Sequence, residues 1–325
     1  MTGTDAMDAT RTDTMETHPP RATAESGEQM VRRRAGFDRP GYSGPTKHRR
    51  IPAVAAEFLT AQPMLLVGAA DADGRIWASA LADRPGFLRA RPGLGDEPDA
   101  VTIAARPTPH DPLAAVLGGS TRVGMIALEP ARRRRMRMNG RATATGDGLH
   151  VALDQVFSNC PKYIQARGFD LLARQPGPVR RTSQLTLPQQ LFVNSADTFF
   201  IATADRAGDL DTSHRGGLPG FVEVLGPGRL RFPDYAGNAM FATLGNLAEN
   251  PAAGLLFIDW DTGTTLQLTG TARIDWDPAH SAQVPGAQRL VDFTVAGVVE
   301  SVAALPLTWS DPTYSPFNPR AEGGS

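Results

Sequence analysis

The chain has 325 residues, enough for two domains of ordinary size, and 41% of them are apolar, which supports buried cores. Its 33 lysines and arginines nearly balance 34 aspartates and glutamates, which argues against a nucleic acid or membrane partner and favours a small molecule. The single cysteine, Cys160, excludes an intrachain disulfide and a cysteine-cluster metal site. No apolar run of about 18 residues and no signal peptide are present, so we expect a soluble cytoplasmic protein without a bound metal.

Residues 1–50 are predicted to be a disordered tail and a connector. Residues 1–27 are rich in Thr, Asp, Glu, Pro and Ala and cannot bury enough apolar surface to offset the entropy of ordering. Residues 28–34 indicate the start of a short helix, and residues 39–50 a Gly/Pro/Arg-rich connector over the surface. Residues 51–59 resemble a helix that leads into the first core.

An internal repeat organises the rest of the chain. Residues 58–87 align without a gap on residues 192–221, an offset of 134. In both copies an apolar strand leads to an Asp-x-x-Gly turn and a second strand, which is typical of a β-hairpin. The match resumes at an offset of 130, where residues 123–129 correspond to residues 253–259. Each copy is therefore predicted to be a closed, mostly antiparallel β structure with short helices.

The repeat predicts the domain boundaries. The first copy covers residues 51–167, a linker without a strong period covers 168–188, the second copy covers 189–310, and a C-terminal arm covers 311–325. Helix-like stretches lie at residues 111–117 and 238–248, between the matched strands. Two copies in one chain suggest a covalent pseudo-dimer.

The stretch 211–222, Asp-Thr-Ser-His-Arg-Gly-Gly-Leu-Pro-Gly-Phe-Val, is the leading candidate for a ligand-binding loop. Arg215 offers a fixed fork of donors for a phosphate or an electron-rich carbonyl edge. Gly216 and Gly217 would let backbone N–H groups approach a ligand closely. Thr212 and Ser213 alternate along a strand, so only one faces the ligand, and we choose Ser213. A plain surface turn is the alternative interpretation.

These residues resemble the FMN-binding split β-barrels related to pyridoxamine 5′-phosphate oxidase. In the second copy the matching stretches are 211–222, 232–238, 243–246, 250–251, 254–258 and 266–270, with Ser-x-Arg-Gly-Gly, Gly-Asn and Asn-Pro motifs. The first copy, with Arg-Met-Arg-Met-Asn-Gly at 135–140 and Asn-Cys-Pro-Lys-Tyr-Ile-Gln at 159–165, resembles the family more loosely. Together the matches span residues 58–302.

The resemblance implies a mainly β fold with short helices: two tandem split β-barrels that pair as a pseudo-dimer, with FMN in the groove between them. Arg215 and the glycine pair align with Leu81, Ala82 and Asp83 in the first copy. An acidic residue there would repel a phosphate. We therefore expect one good flavin site, built on the second copy, and a degenerate first site.

Further candidates for cofactor binding lie on both copies. Asn238 is predicted to cap a helix over residues 239–247, whose start suits a phosphate. Thr243 and Asn246 share one face of that helix. In the first copy Arg135 and Arg137 lie on one side of a strand. Most of the neighbouring arginines are expected to lie on a solvated face of the barrel, while Arg135 or Arg137 could reach a phosphate across the groove. A nucleic-acid patch is disfavoured because no aromatic residues alternate with the arginines.

Residues 159–162 are predicted to start a helix, with Asn159 as its cap and Pro161 in the first turn. Cys160 beside a lysine would tend towards thiolate, although a buried inert cysteine is the favoured interpretation. From this segment we assign Lys162 to the cofactor. The residues assigned to the substrate are Tyr163, Cys160 and His214.

The leading functional hypothesis is an FMN-dependent oxidoreductase that acts on a small molecule, with its catalytic residues unassigned. NAD(P)H or a reductase is the expected electron donor, and the chain is expected to be a monomer or a homodimer. The alternatives are a flavin-binding carrier or sensor, and a degenerate barrel that serves as an interaction module. Hydrolase, kinase and Rossmann motifs are absent from the sequence.

Overall fold

The computed structural model describes residues 25–37, 47–95, 97–158 and 161–320. The predicted disordered tail lies almost entirely outside these ranges, as do residues 38–46 of the predicted connector. Within them strands predominate and helices are short, so the predicted mainly β fold class is confirmed. No helix in the described ranges is long and apolar enough to cross a membrane.

The first copy forms one antiparallel sheet, which we call the first barrel. Its strands are β1 (Met64–Ala70), β2 (Ile76–Ala82), β3 (Leu88–Arg91), β4 (Ala100–Ile103), β5 (Ser120–Glu129), β6 (Arg134–Ala144) and β7 (Leu149–Ser158). They are hydrogen-bonded in the order β2-β1-β5-β6-β7-β4-β3. Neighbouring β1 and β2 are the hairpin that the Asp-x-x-Gly turn predicts.

The chain then forms β8 (Phe169–Leu171) and β9 (Val179–Thr182) before the second sheet, which we call the second barrel. Its strands are β10 (Thr198–Ala204), β11 (Leu210–Gly216), β12 (Glu223–Gly226), β13 (Arg229–Tyr235), β14 (Ala252–Ile258), β15 (Thr265–Asp275) and β16 (Ala287–Ser301). Their order, β11-β10-β14-β15-β16-β13-β12, is that of the first barrel strand for strand.

Matched glycines show why the two copies share this geometry. Gly74 and Gly208 close the two hairpins with φ of +78° and +81°, a conformation that glycine adopts without steric cost. Gly140 and Gly270 each follow a β-bulge at the same place in the strand order. A Cβ at either one would collide with a carbonyl oxygen of the facing strand, so both positions require glycine.

The helices are short and border the barrels. They are α1 (Gly27–Arg34), α2 (Ala53–Thr60), α3 (Leu187–Ser195), α4 (Ala242–Glu249) and α5 (Pro278–Ser281), with a 3₁₀ turn at Val116–Gly118. The helix predicted over 239–247 begins later because Ala239 and Phe241 both have φ of +55°, which a right-handed helix excludes. The helix predicted at 111–117 is a set of turns that ends in the 3₁₀ turn.

The predicted linker and C-terminal arm are more structured than expected. Strand β8 pairs with β17 (Leu307–Trp309), and β9 pairs with the end of β16. Strands of three or four residues leave too short a pattern for a period to be recognised. Within residues 311–320, Ser315 and Asn318 are buried and hydrogen-bonded to Gln165, so this part of the arm is packed against the rest of the protein.

The two barrels pack on each other through equivalent strands. Each has its own apolar core, and a third cluster that includes Leu66, Ile126, Phe200 and Leu256 lies between them. Close approach needs glycine: a Cβ at Gly124 would lie 2.5 Å from the Cα of Asp211, and one at Gly254 would lie 2.6 Å from the Cα of Trp77. A two-fold pseudo-dimer, as predicted, stays a prediction.

Candidate functional site

A cavity lies where β11 of the second barrel meets β6 of the first. Its cationic lining residues are Arg135, Arg137, Lys162, Arg215 and Arg289, and its aromatic ones are Phe37, Tyr163, Phe221, Tyr235 and Phe241. Asp234 is the acidic residue of the lining. The positive charges come from four separate segments of the chain, so the cavity depends on how the barrels pack. Its charge suits an anionic ligand.

Arg137 is the most deeply placed of these cations. Its side chain is 4% exposed and forms an ion pair with Asp211 of β11, which is 5% exposed. The guanidinium also lies over the ring of Phe157, 5.0 Å from its centroid. Burial first, then Arg135 and Arg215, lower the pKa of Arg137 well below its usual value, and Glu28 opposes this. The ion pair with Asp211 favours the charged guanidinium. The guanidinium is basic enough to stay charged.

Arg215 and Arg289 are held by one buried carboxylate. Asp234 Oδ1 accepts from Arg215 Nη1 at 2.8 Å, and Asp234 Oδ2 accepts from Arg289 Nη2 at 2.8 Å and Nε at 3.1 Å. Arg289 lies over the rings of Phe241 and Trp276. These contacts restrict both guanidinium groups, so little further side-chain entropy is lost when a ligand binds.

His214 lies between the barrels beside Arg135. Arg135 Nη1 is 3.1 Å from His214 Nδ1, and because a guanidinium can only donate, Nδ1 is the acceptor and Nε2 carries the proton. Burial first, then Arg135 and Arg215, lower the pKa of His214 well below its usual value, so the ring is neutral. Nε2 is buried and has no hydrogen-bond partner among the described residues.

The start of α4 also borders the cavity. Ser213 Oγ and Thr243 Oγ1 are 2.9 Å apart and join β11 to the first turn of α4. No side chain caps this helix, and its first N–H groups have no intrahelical partner. Together with the helix dipole these N–H groups favour an anion.

A pair of tyrosines closes one side of the cavity. The rings of Tyr163 and Tyr235 have centroids 5.1 Å apart, and Tyr163 Oη donates to the carbonyl of Ala236 at 2.9 Å. Burial raises the pKa of Tyr235 to about 12, so its hydroxyl stays protonated near neutral pH. Tyr163 has φ of +65°, a strained conformation for a tyrosine. These rings offer an apolar surface to a planar ligand.

Most residues predicted for the site meet at this cavity. They are Ser213, Arg215, Gly216, Asn238, Thr243, Arg135, Arg137 and Lys162, assigned to the cofactor, and Tyr163 and His214, assigned to the substrate. Their roles stay predictions. Cys160, with Asn159, lies outside the described residues, and the helix predicted from 159 is a turn at Lys162 and Tyr163.

Two of the residues assigned to the cofactor lie outside the lining of this cavity, and the predicted helix cap is not formed. Asn246 lines a neighbouring cavity with Arg122 and Asp209, and its Nδ2 donates to Thr203 Oγ1 at 3.1 Å. Gly217 is not in the cavity lining, since its N–H donates to the carbonyl of Asp197 at 3.0 Å. Asn238 does not cap α4, because its Oδ1 accepts from Met240 N at 3.3 Å, ahead of the helix.

The segment 211–222 also differs from the predicted loop. Its first six residues belong to β11, and Arg215 projects from a strand. Gly216 is required by packing rather than by a ligand: a Cβ there would collide with the carbonyl oxygen of Tyr163. In the first copy Asp83 is exposed, and its carboxylate accepts a hydrogen bond from Arg84 N.

Sequence reasoning missed several residues of the cavity. They are Phe37, Asp234, Tyr235, Phe241 and Arg289. The Phe-Pro-Asp-Tyr stretch at 232–235 is part of the family match, and the alternation of side chains along a strand could have indicated the side on which Asp234 lies. Phe37 and Arg289 carried no such signal, because they reach the cavity from distant segments.

Residues 189–300 match the family model described as pyridoxamine 5′-phosphate oxidase. This match confirms the resemblance for the second barrel. It covers about a third of the chain and does not extend to the first copy. No curated protein matches the chain. The chain thus has a mainly β fold, and its second barrel is similar to the pyridoxamine 5′-phosphate oxidase family.

Three solved structures illustrate what the chain is similar to. HupZ of Group A Streptococcus is 14% identical, with 34% of this chain and 89% of that chain covered and a TM-score of 0.29. An FMN-binding protein from Syntrophomonas wolfei is 13% identical, with coverages of 34% and 81% and a TM-score of 0.26. The FAD binding protein from Mycobacterium smegmatis is 14% identical, with coverages of 37% and 98% and a TM-score of 0.27. At these values the likeness carries no functional argument.

Proposed function

We propose that the cavity between the barrels binds FMN and that the protein is an FMN-dependent oxidoreductase acting on a small molecule. The observation that carries the proposal is the convergence of five cationic side chains and the uncapped start of α4 on one cavity. The family match of the second barrel supports a flavin as the ligand.

The residues present fit a phosphate group. Arg137 and Arg215 supply charged donors, and Ser213 and Thr243 supply hydroxyls on the same wall as the N–H groups of α4. Arg215 Nε is buried without a partner among the described residues, which is a further donor for an acceptor in the cavity. A dianion would relieve the repulsion among the clustered guanidinium groups.

The rest of the lining fits a planar ring with polar edges. Tyr235, Met240 and Phe241 offer apolar surface, while Arg289 provides fixed donors beside it. When bound, the flavin would supply hydride or electron transfer at its ring. Positive charge beside the ring favours an anionic reduced cofactor, so the arginines would bind and stabilise rather than transfer protons.

His214 and Tyr235 have a similar role in this proposal. Because the pKa of His214 is lowered and that of Tyr235 is raised, both side chains are neutral near neutral pH. Each then has one hydrogen to donate: the imidazole N–H of His214 and the hydroxyl of Tyr235. They can therefore orient a ligand by hydrogen bonding, but they do not change charge during the reaction. The catalytic proton donor and the electron donor of the reaction are not assigned to this chain's residues.

Flavin uptake by the purified protein tests the proposal. The protein would be titrated with FMN, FAD and riboflavin, following flavin fluorescence and absorbance. We expect FMN to bind at least tenfold more tightly than riboflavin, because only FMN carries the phosphate. Equal binding of FMN and riboflavin would contradict the phosphate assignment, and no binding of any flavin would refute the proposal.

A second measurement separates an enzyme from a carrier. The FMN-loaded protein would be mixed anaerobically with NADH or NADPH, and bleaching of the flavin absorbance would be followed. Reduction followed by reoxidation with a small-molecule acceptor supports an oxidoreductase. Stable flavin binding with neither step, over a panel of donors and acceptors, would favour the carrier instead.

A further inference from the structure

The first barrel contains a counterpart of the cavity wall at equivalent positions. Ser79 on β2 pairs with Val67, as Ser213 on β11 pairs with Ile201. Gln267 on β15 faces it from the second barrel, at the strand position that Arg137 occupies on β6. We call the place where β2 meets β15 the counterpart site.

The counterpart site is closed by a carboxyl group of the chain itself. Asp111 Oδ1 accepts from Ser79 Oγ at 2.7 Å and from the backbone N of Leu113 at 2.8 Å. Gln267 Nε2 donates to Ser79 Oγ at 2.8 Å and to Asp111 Oδ2 at 3.2 Å. A serine hydroxyl, a backbone N–H and a side-chain N–H from the other barrel therefore converge on one carboxyl group.

In the open cavity the equivalent serine, Ser213, is hydrogen-bonded to a shorter side chain than Asp111. The partner of Ser213 is the Thr243 hydroxyl, at 2.9 Å, and the facing residue is the cationic Arg137 rather than Gln267. Thr243 lacks the carboxyl group that Asp111 has, so acceptor oxygens must come from a ligand. At the counterpart site Leu81 replaces Arg215, and it is buried in the first core.

We propose that the counterpart site is permanently filled by the Asp111 carboxyl group, and that removing this group leaves a binding site for a small carboxylate such as formate. The inference uses the shape of the open cavity but does not depend on the identity of its ligand. The donors around Asp111 thus form a built site for a carboxyl group whose occupant is covalently attached. Burial raises the pKa of this carboxyl, and the hydrogen bonds from Leu113, Ser79 and Gln267 oppose the rise. Partial exposure of Asp111 gives a small anion access.

Chemical rescue tests this inference. In Asp111→Ala the side chain ends at Cβ, and formate has the size of the missing group. The melting temperature of this variant would be measured in sodium formate and in sodium chloride at equal ionic strength. We expect formate, but not chloride, to raise it in a saturable way. Wild type and Asp111→Asn, which keep an acceptor in place, should show no specific effect of formate.

Asp111→Ser is a second variant, in case Asp111→Ala does not fold. Its hydroxyl reproduces the Thr243 arrangement and leaves room for the anion, so the same saturable stabilisation by formate is expected. If formate stabilises neither variant more than it stabilises wild type, the inference is overturned. Failure of the protein to bind FMN would leave this result unaffected, so the two proposals can fail separately.

Discussion

Arg215 is placed so that its contribution to ligand binding can be measured without dismantling the cavity. Its partner Asp234 keeps two hydrogen bonds from Arg289 when the Arg215 side chain is removed. The carboxylate is therefore not left as an unpaired buried charge, which would otherwise dominate the effect of the substitution. The same cannot be said of Arg137, whose loss would leave Asp211 buried in the interface between the barrels.

We predict that Arg215→Ala weakens FMN binding by about 1.5–3 kcal/mol, on the order of 10- to 150-fold in Kd, because a charged hydrogen bond to the cofactor is lost. Fluorescence titration of FMN measures the change. Arg141→Ala is the matched control, since Arg141 is exposed on β6 outside the cavity lining and should leave the affinity unchanged. An unaltered affinity in Arg215→Ala would show that Arg215 does not contact the ligand.

His214 makes a prediction about pH. Its folded pKa is lowered, so below the unfolded value of about 6.5 the unfolded chain binds more protons than the folded one. Stability from this group is fully present above that pH and is lost as pH falls. Urea unfolding from pH 8 to pH 5 should therefore show a decline that His214→Gln reduces. His150→Gln, at an exposed histidine on β7, should retain the full decline.

At the scale of elements, α1 is attached to α4 by backbone contact rather than by a large apolar face. Gly27 and Gly245 face each other, and Arg206 and the N–H of Gly27 both donate to Glu249. The hydrogen bond from Arg206 lowers the pKa of Glu249 to about 2. Stability from Glu249 is thus present above its unfolded pKa and lost as pH falls towards 2. The contact between α1 and α4 also positions the residues after α1, among them Phe37, which lines the cavity.

We predict that Gly245→Ala destabilises the protein, although alanine is the better helix former by about 1 kcal/mol. The added Cβ would lie 2.5 Å from the backbone N of Glu28, so α1 would be displaced. Differential scanning calorimetry should show a lower melting temperature, and FMN should dissociate faster if Phe37 contacts it. Gly146→Ala, where a Cβ meets nothing within 4 Å, is the control; a melting temperature unchanged in both variants would exclude the α1 contact.

At the scale of the whole molecule, the two barrels contact each other through strands at equivalent positions, but the two contact regions hold different side chains. One contact region has Arg137 and Thr243 around an open cavity, whereas the other has Gln267 and Asp111 hydrogen-bonded to each other. The asymmetry lies in the different side chains that the two contact regions hold on the same strand order. It predicts the number of ligands per chain.

We predict that one chain binds one FMN. Titration at protein concentrations well above Kd, followed by release and quantification of the flavin, measures the stoichiometry. Two FMN per chain would show that the counterpart site also accepts flavin. In the same experiment binding should weaken as salt is raised, because the attraction between phosphate and arginine is screened.

Much of the fold could be predicted from local pattern. The hairpin turns at Gly74 and Gly208 and the strand alternation depend on neighbouring residues, and the structure places both hairpins as expected. The predicted helix boundaries were less accurate where the backbone conformation differs from the one that the residue types favour. Phe241, for example, has a positive φ, so α4 starts after it. Strands as short as β8 and β9 form because longer strands are there to pair with them.

The amino-acid sequence alone was sufficient for the repeat, the family resemblance and the choice of Arg215 with its neighbours, because these depend on residue type and spacing along the chain. Only the tertiary structure showed that Asp234 binds both Arg215 and Arg289, and that Arg137 is buried in an ion pair with Asp211. It also showed that the Asp111 carboxyl fills the counterpart site, whereas the cavity beside Ser213 is open. These contacts link residues far apart in the chain, across sheets whose packing no local period encodes. The physical reason is that an arginine's environment is set by the opposing strand, whereas its own strand sets only the side to which it points.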